Sequence, residues 1–378
     1  MTLKRIILLA CMLNAGPAFA VESVRIGVTT ILSGQYADRG QSEQYGVELA
    51  LSRVNQAGGV LGRPVEAFYG DNAADIATGV RATQRLIEEE HVPVLLGALW
   101  TPVTHAIMPV VQKAKIPLVI DISAGQDFVD ASGVGGNEYA FKTIPSDLDI
   151  AISMMDFLKG QGVRSIAIVA DDNPFNLVNA ASMEKAAAAA ALKIVAKETI
   201  AKDLKDQAPM IARLRAFEPD RVVTILSSST ASFFQAYEQS GWAVPIVGRI
   251  DFTTAIGAVS QQFLASGGLD NARSIVVFSP LMDAPGIQDF VGAYRAKYGL
   301  TPTQRSFFAY EAIYLVVDAI RRANSDKAAD IQQALKTSKM TSLVGGTYKM
   351  DDHNHPHTAM RILGIRGGKV AIISRVGG

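Results

Sequence analysis

The chain has 378 residues, of which 49% are hydrophobic and 19% charged, and its 36 basic side chains balance 36 acidic ones. That length is enough for two domains with separate cores. A formal charge of zero gives no electrostatic reason to expect a nucleic-acid or anionic-membrane partner, and neither is expected.

Residues 1–20 stand apart. Lys4-Arg5 is a short basic segment, 6–13 is apolar, and Ala18-Phe19-Ala20 precedes Val21 as a small-residue cleavage signal. The segment reads as a secretory signal peptide and is excluded from the fold. Its removal leaves 34 basic against 36 acidic side chains, a mature charge of −2. Cys11, the sole cysteine, lies in Leu8-Leu9-Ala10-Cys11, which resembles a lipoprotein signal. Cleavage there would leave a very short apolar run, so a chance cysteine is the preferred reading. The exported chain then has no disulfide, and its core must be sufficient alone. No later run is long and apolar enough to span a membrane.

Strands are expected at 24–30 and 65–69, with helices at 42–55 and 75–90. A short buried strand at 94–96 ends at Gly97, and Thr101-Pro102 then opens a helix, with Thr able to cap and Pro suited to the first position. Val103, Ile107, Val110, Val111 and Ala114 give that helix one apolar face. The next buried strand, 118–120, ends in a turn of small polar residues through Ser123 and Gly125. Parallel strands that end at one edge make a ligand crevice, into which the hydroxyls of Thr101 and Ser123 would point.

A strand at 139–143 and a helix at 148–159 follow, and then the pattern begins again. Strands are expected at 166–170, 194–199, 222–226 and 245–248, alternating with helices at 177–191, 209–217 and up to 239. A strand at 275–278 precedes helices at 286–298, 305–324 and 328–337. Residues 347–350, 360–365 and 370–375 read as β-hairpins. Two such βαβ sets argue an α/β protein with parallel sheets covered by helices.

These residues carry a resemblance. Val24-Arg25-Ile26-Gly27-Val28, Leu32-Ser33-Gly34, Tyr45 through Ala50 and the run from Asn55 to Pro64 appear in order, followed by Gly97, Ile116-Pro117, Tyr310-Glu311-Ala312 and Asp351-Asp352-His353. The mature chain resembles the Leu/Ile/Val-binding family of periplasmic solute-binding proteins of ABC importers. The resemblance implies two Rossmann-like lobes joined by three hinge crossovers, the type I periplasmic binding protein fold. It places the lobes at 21–143 plus 281–344 and at 144–280 plus 345–378. It further implies a monomer in the periplasm that closes on a small amino or carboxylic acid and docks on a membrane permease.

The resemblance also assigns a site. Thr101, Ser123 and Gly125 fall where the family holds a ligand carboxylate, although Gly125 offers only its N–H. Phe175 falls where an aromatic ring covers the ligand. The family's aromatic ammonium partner falls among Ser227-Ser228-Ser229, with Ser228 in the binding set. Its acidic partner falls at Arg249-Ile250-Asp251, and Asp251 fits with a shift of one residue. These departures weaken the ammonium site. Trp100, Phe175 and Arg39 would suit an aromatic or other organic acid, with rings stacking and arginine pairing a carboxylate. Packing residues and a solvated loop charge are the opposing readings, and for Arg39 the solvated charge is preferred.

No catalytic constellation competes. Ser227-Ser228-Ser229 lacks the flanking glycines of a nucleophile elbow, and the loop after 24–30 lacks the dinucleotide glycine spacing. No enzyme activity, cofactor or metal is expected. His353-Asn354-His355-Pro356-His357 is the only histidine cluster and reads as a solvated turn rather than a metal site. A sensory receptor of the same fold remains the alternative to a transport receptor.

Overall fold

The computed structural model describes residues 22–201 and 204–377. The signal-peptide reading and Cys11 lie outside the described residues. The first sheet contains β1 (Val24–Thr30), β2 (Val65–Asp71), β3 (Leu95–Gly97), β4 (Leu118–Ile120) and β5 (Ala140–Lys142). They run in the order β2-β1-β3-β4-β5, all parallel. β3, β4 and β5 are buried throughout, as short apolar runs covered on both faces must be.

The second sheet has seven strands: β6 (Ser165–Asp171), β7 (Lys193–Ile200), β8 (Arg221–Ile225), β9 (Ile246–Gly248), β10 (Arg273–Val276), β11 (Met360–Arg366) and β12 (Lys369–Val376). It is parallel from β7 to β10, and β11 and β12 close it as an antiparallel hairpin. In each sheet the strand order reverses at the first strand of the set, between β1 and β3 and between β6 and β8. Such reversals leave a crevice at the carboxyl ends of the strands.

Helices fill the connections. α1 (Ala37–Gln56), α2 (Ile76–Glu88), α3 (Thr101–Ala114) and α4 (Gln126–Asp130) belong to the first set. α5 (Asp147–Gly160), α6 (Pro174–Ala189), α7 (Ala208–Ala216), α8 (Thr230–Ser240), α9 (Phe252–Ala258) and α10 (Gln261–Ala265) belong to the second. α11 (Pro285–Tyr298), α12 (Gln304–Ala323) and α13 (Ala328–Lys336) return to the first lobe, where α12 lies along α1. Gly46 permits this approach: a Cβ there would stand 2.1 Å from the Ser306 carbonyl oxygen. Tyr45 stacks on Tyr298 at 4.1 Å, and Arg53 pairs with Asp289.

The chain therefore passes between lobes three times: between β5 and α5, between β10 and α11, and between α13 and β11. The last passage is anchored at Glu311 of α12. Its buried carboxylate accepts the Ser342 hydroxyl (2.7 Å), the Leu343 N–H (2.6 Å) and the Tyr348 hydroxyl (2.6 Å). Burial pushes the Glu311 carboxyl up, and these three donors oppose that shift.

Most expected elements are found, with shifted ends. α1 begins at Ala37 rather than at 42. α4, α9 and α10 were not anticipated, being short segments without a readable period. The strand expected at 347–350 is absent; isolated bridges join Thr341 to Thr347 and Met350 to Pro356. Tyr348 alternates as a strand residue would, but it is spent on Glu311.

Replacing Tyr348 by Phe removes one donor from a buried carboxylate. The expected loss of stability is about 1–3 kcal/mol, read from the denaturant midpoint at an unchanged slope.

Candidate functional site

The crevice of the first lobe is built by the loops after β1 and β3. Gly97 ends β3 at φ 126°, and a Cβ there would lie 2.2 Å from the Thr29 carbonyl oxygen. Only glycine lets β3 close on β1 at this edge. Trp100 occupies the N-cap of α3 in extended conformation and makes no side-chain cap bond. Thr101 is the first helical residue, so the expected threonine cap is not formed; its exposed hydroxyl has no protein partner among the described residues.

Trp100 stacks on Tyr36 with centroids 4.8 Å apart and planes 26° apart. The Arg39 guanidinium lies 4.7 Å from the Tyr36 centroid. Arg39 is thus a half-buried charge seated on a ring, not the solvated loop charge preferred from sequence. Tyr36, in the turn after β1, thus links Trp100 to Arg39, a contact that the sequence does not announce.

Ser123 is buried, and its Oγ lies 3.0 Å from Thr104 Oγ1. Thr104, absent from the sequence-derived set, ties the end of β4 to α3. The Ser123 hydroxyl is therefore engaged within the lobe. Gly125 is the N-cap of α4, and a Cβ there would meet Asp127 Oδ1 at 2.2 Å. Beneath this edge Glu43 and Asp121 are buried together; burial raises both carboxyls, and Thr30 donates to Glu43 at 2.5 Å.

The crevice of the second lobe rests on Asp171, the last residue of β6. It accepts the N–H groups of Ser227 (2.8 Å), Ser228 (2.9 Å) and Ser229 (3.4 Å) after β8, together with their three hydroxyls. Burial acts to raise the Asp171 carboxyl, but these donors outweigh it and hold it below the ordinary range. Ser228 therefore shapes the turn through Asp171.

Phe175, second residue of α6, is 53% exposed. The Arg249 guanidinium lies 5.6 Å from its ring centroid and donates to Asp147 Oδ1 (2.8 Å) and Asn179 Oδ1 (2.7 Å). Asp147 is only 2% exposed. Asp251 corrects the shifted alignment. It caps α9, accepting the N–H of Thr253 at 3.0 Å and the hydroxyl of Thr254 at 2.6 Å. That leaves Arg249, not Asp251, as the charged side chain beside Phe175.

Among the described residues no hydrogen bond, ion pair or ring contact joins Trp100, Thr101 or Ser123 to Phe175, Ser228 or Asp251. The two sets stand on separate lobes with the hinge between them. Lys142, at the first crossing, is buried and donates to the Ser123 carbonyl at 2.8 Å. Burial pushes its ammonium down to about 8, against the pull of Asp147 and Asp149. The histidine segment also departs from expectation: His355 is 1% exposed and bonds Asp149, so it is not part of a solvated turn.

A two-lobed α/β fold with a polar crevice at the switch point of each sheet defines the class of hinged ligand-binding proteins. The chain belongs to the periplasmic binding protein family, whose pattern matches residues 23–369. It is 24% identical over 366 residues to Leu/Ile/Val-binding protein homolog 7 of Brucella abortus, covering 92% of this chain and 90% of the relative. Its fold is shared with a branched-chain amino acid transporter substrate-binding protein of Streptococcus pneumoniae in complex with isoleucine. That match has a TM-score of 0.75 at 20% identity, over 94% of this chain and 99% of the other. A solute-binding protein of an ABC transporter from R. palustris, in complex with benzoate, matches with a TM-score of 0.73 at 19% identity, over 94% and 98% of the chains.

Asp171→Asn removes a charged acceptor from the serine turn and is expected to lower stability by about 1–3 kcal/mol. In the wild type the same contribution is complete above the ordinary aspartate value of about 3.9 and falls away as pH drops through the lower folded value. Unfolding midpoints of wild type and variant should therefore converge in acid.

Proposed function

We propose that this protein captures a small carboxylic acid that carries no α-ammonium group and delivers it to an ABC permease. The observation that carries this reading is the Arg249–Asp147 pair. An ammonium in the second lobe would be held by an acidic side chain beside Phe175, and the acids that the sequence and the crevice offer for this are largely engaged. Asp147 is neutralised by Arg249, Asp171 holds the serine turn and Asp251 caps a helix. Arg249 spends one terminal nitrogen on Asp147 and Asn179, and its other guanidinium N–H groups have no protein partner among the described residues, so they can donate to a ligand carboxylate but offer an ammonium nothing. Trp100 and Phe175 supply ring faces, one on each lobe, and Arg39 supplies a second cation. The benzoate complex of the R. palustris neighbour supports an aromatic acid as ligand.

In this reading, residues 21–143 plus 281–344 move against 144–280 plus 345–378. The ligand favours closure by touching both lobes at once, because it has more partners in the closed state. The first-lobe carboxylate partners are the Thr101 hydroxyl and the backbone around Ser123 and Gly125. The protein works as a monomer in the periplasm after removal of residues 1–20, and it binds without chemical change of the ligand.

Benzoate at a hundredfold excess over its dissociation constant should stabilise the purified protein by about 2.7 kcal/mol, seen as a raised melting temperature. Leucine should give no shift. The reverse pattern, leucine active and benzoate silent, overturns the proposal. Trp100→Ala should weaken benzoate binding by about 1–2 kcal/mol, measured by calorimetry, through loss of its ring face. Thr101→Val should weaken it by about 1–3 kcal/mol.

A further inference from the structure

We propose that Asp149, His355 and His357 form a transition-metal site, suited to zinc, that fastens the third crossover to the first helix of the second lobe. None of these three residues is used by the ligand reading, and the proposal does not depend on it. One ligand atom from each residue can be chosen so that all lie within 4.8 Å of one another. His355 Nε2 is 2.6 Å from Asp149 Oδ2, and His357 Nδ1 is 3.2 Å from Asp149 Oδ1. The two imidazoles meet edge to face at 5.2 Å.

The local chain explains the convergence. His355 and His357 flank Pro356, and residues two apart on an extended segment face the same side. Asp149 is the third residue of α5 and is turned inward by the capping box, accepting the Ser146 N–H at 2.8 Å and the Ser146 hydroxyl at 2.9 Å. The segment is clamped from the other lobe, where the Lys142 N–H donates to the Asn354 carbonyl at 3.0 Å.

At His357 the surroundings have the form of a metal site's outer shell. Asp351 Oδ2 stands 3.3 Å from His357 Nε2, the ring nitrogen not facing Asp149. A carboxylate there accepts the remaining N–H and fixes the tautomer that presents Nδ1 to a metal. Asp351 is itself fixed by the N–H groups of His353 (2.8 Å) and His355 (3.0 Å). Two imidazoles and one carboxylate without sulfur suit zinc with water as fourth ligand. His357 is 60% exposed, so the open side gives entry to the ion and room for that water. Tetrahedral ligands at zinc distances stand roughly 3.3 Å apart, so His355 and Asp149 need part by less than about 1 Å, and ligand atoms spaced more widely than this close toward it, as exposed His357 is free to do.

The test uses the chain expressed whole, purified as exported and stripped with a chelator. Zinc titration by calorimetry should show one ion per chain, and zinc should raise the melting temperature. His357→Ala, at an exposed position, should abolish both effects while leaving the fold intact by circular dichroism. Asp351→Asn should weaken zinc affinity about ten- to hundredfold, as loss of a histidine's outer partner does. Absence of zinc uptake by the wild type at micromolar concentration overturns the proposal. So does His357→Ala binding zinc as the wild type does.

Discussion

The structure depends on a buried cation at the first crossing. Lys142 has no access to water, and its Nζ holds the carbonyl of Ser123 at the end of β4. An ammonium in such a place must be compensated, and Asp147 and Asp149 at the start of α5 supply the opposing charge. Those two carboxylates then face outward to different tasks. Asp147 fixes Arg249 beneath Phe175, and Asp149 fixes His355 and His357. A line of alternating charge thus runs from the first crevice through the hinge into the second. Removing Asp147 takes an opposing carboxylate from buried Lys142 and the charged partner from Arg249 at once, which is costlier than losing a surface pair.

The fold was legible because burial on both faces leaves a strong mark in sequence. β1 and β4 fall where the apolar runs predict, residue for residue. The order of strands and helices follows from the same alternation of periods. The failures have a common cause. Residues 347–350 carry a strand-like alternation, yet Tyr348 serves a buried carboxylate far away in the chain. Short helices such as α9 depend on a cap, here Asp251, that looks like a free acid when only the sequence is read.

The site was legible as a set of loops but not as a set of partners. Hydroxyls and carboxylates announce themselves by type, whereas what they bond depends on a fold already formed. Ser123 is engaged by Thr104, and Ser228 by Asp171. Arg39 lies on Tyr36, a contact that neither residue type announces in sequence. His355 carried the weakest signal: a histidine in a polar turn gives no sign that it will be buried against the opposite helix.

The order in which the chain completes the two lobes has a consequence for folding. α1 near the start of the chain is covered by α12, so Gly46 finds Ser306 only after most of the protein has been made. The second sheet gains β11 and β12 last of all. Neither half has a complete core without these late segments, and contacts so distant in sequence form slowly. Each lobe is therefore completed by segments far downstream of its own first strand, so that a cut between them would leave the core of the earlier part open.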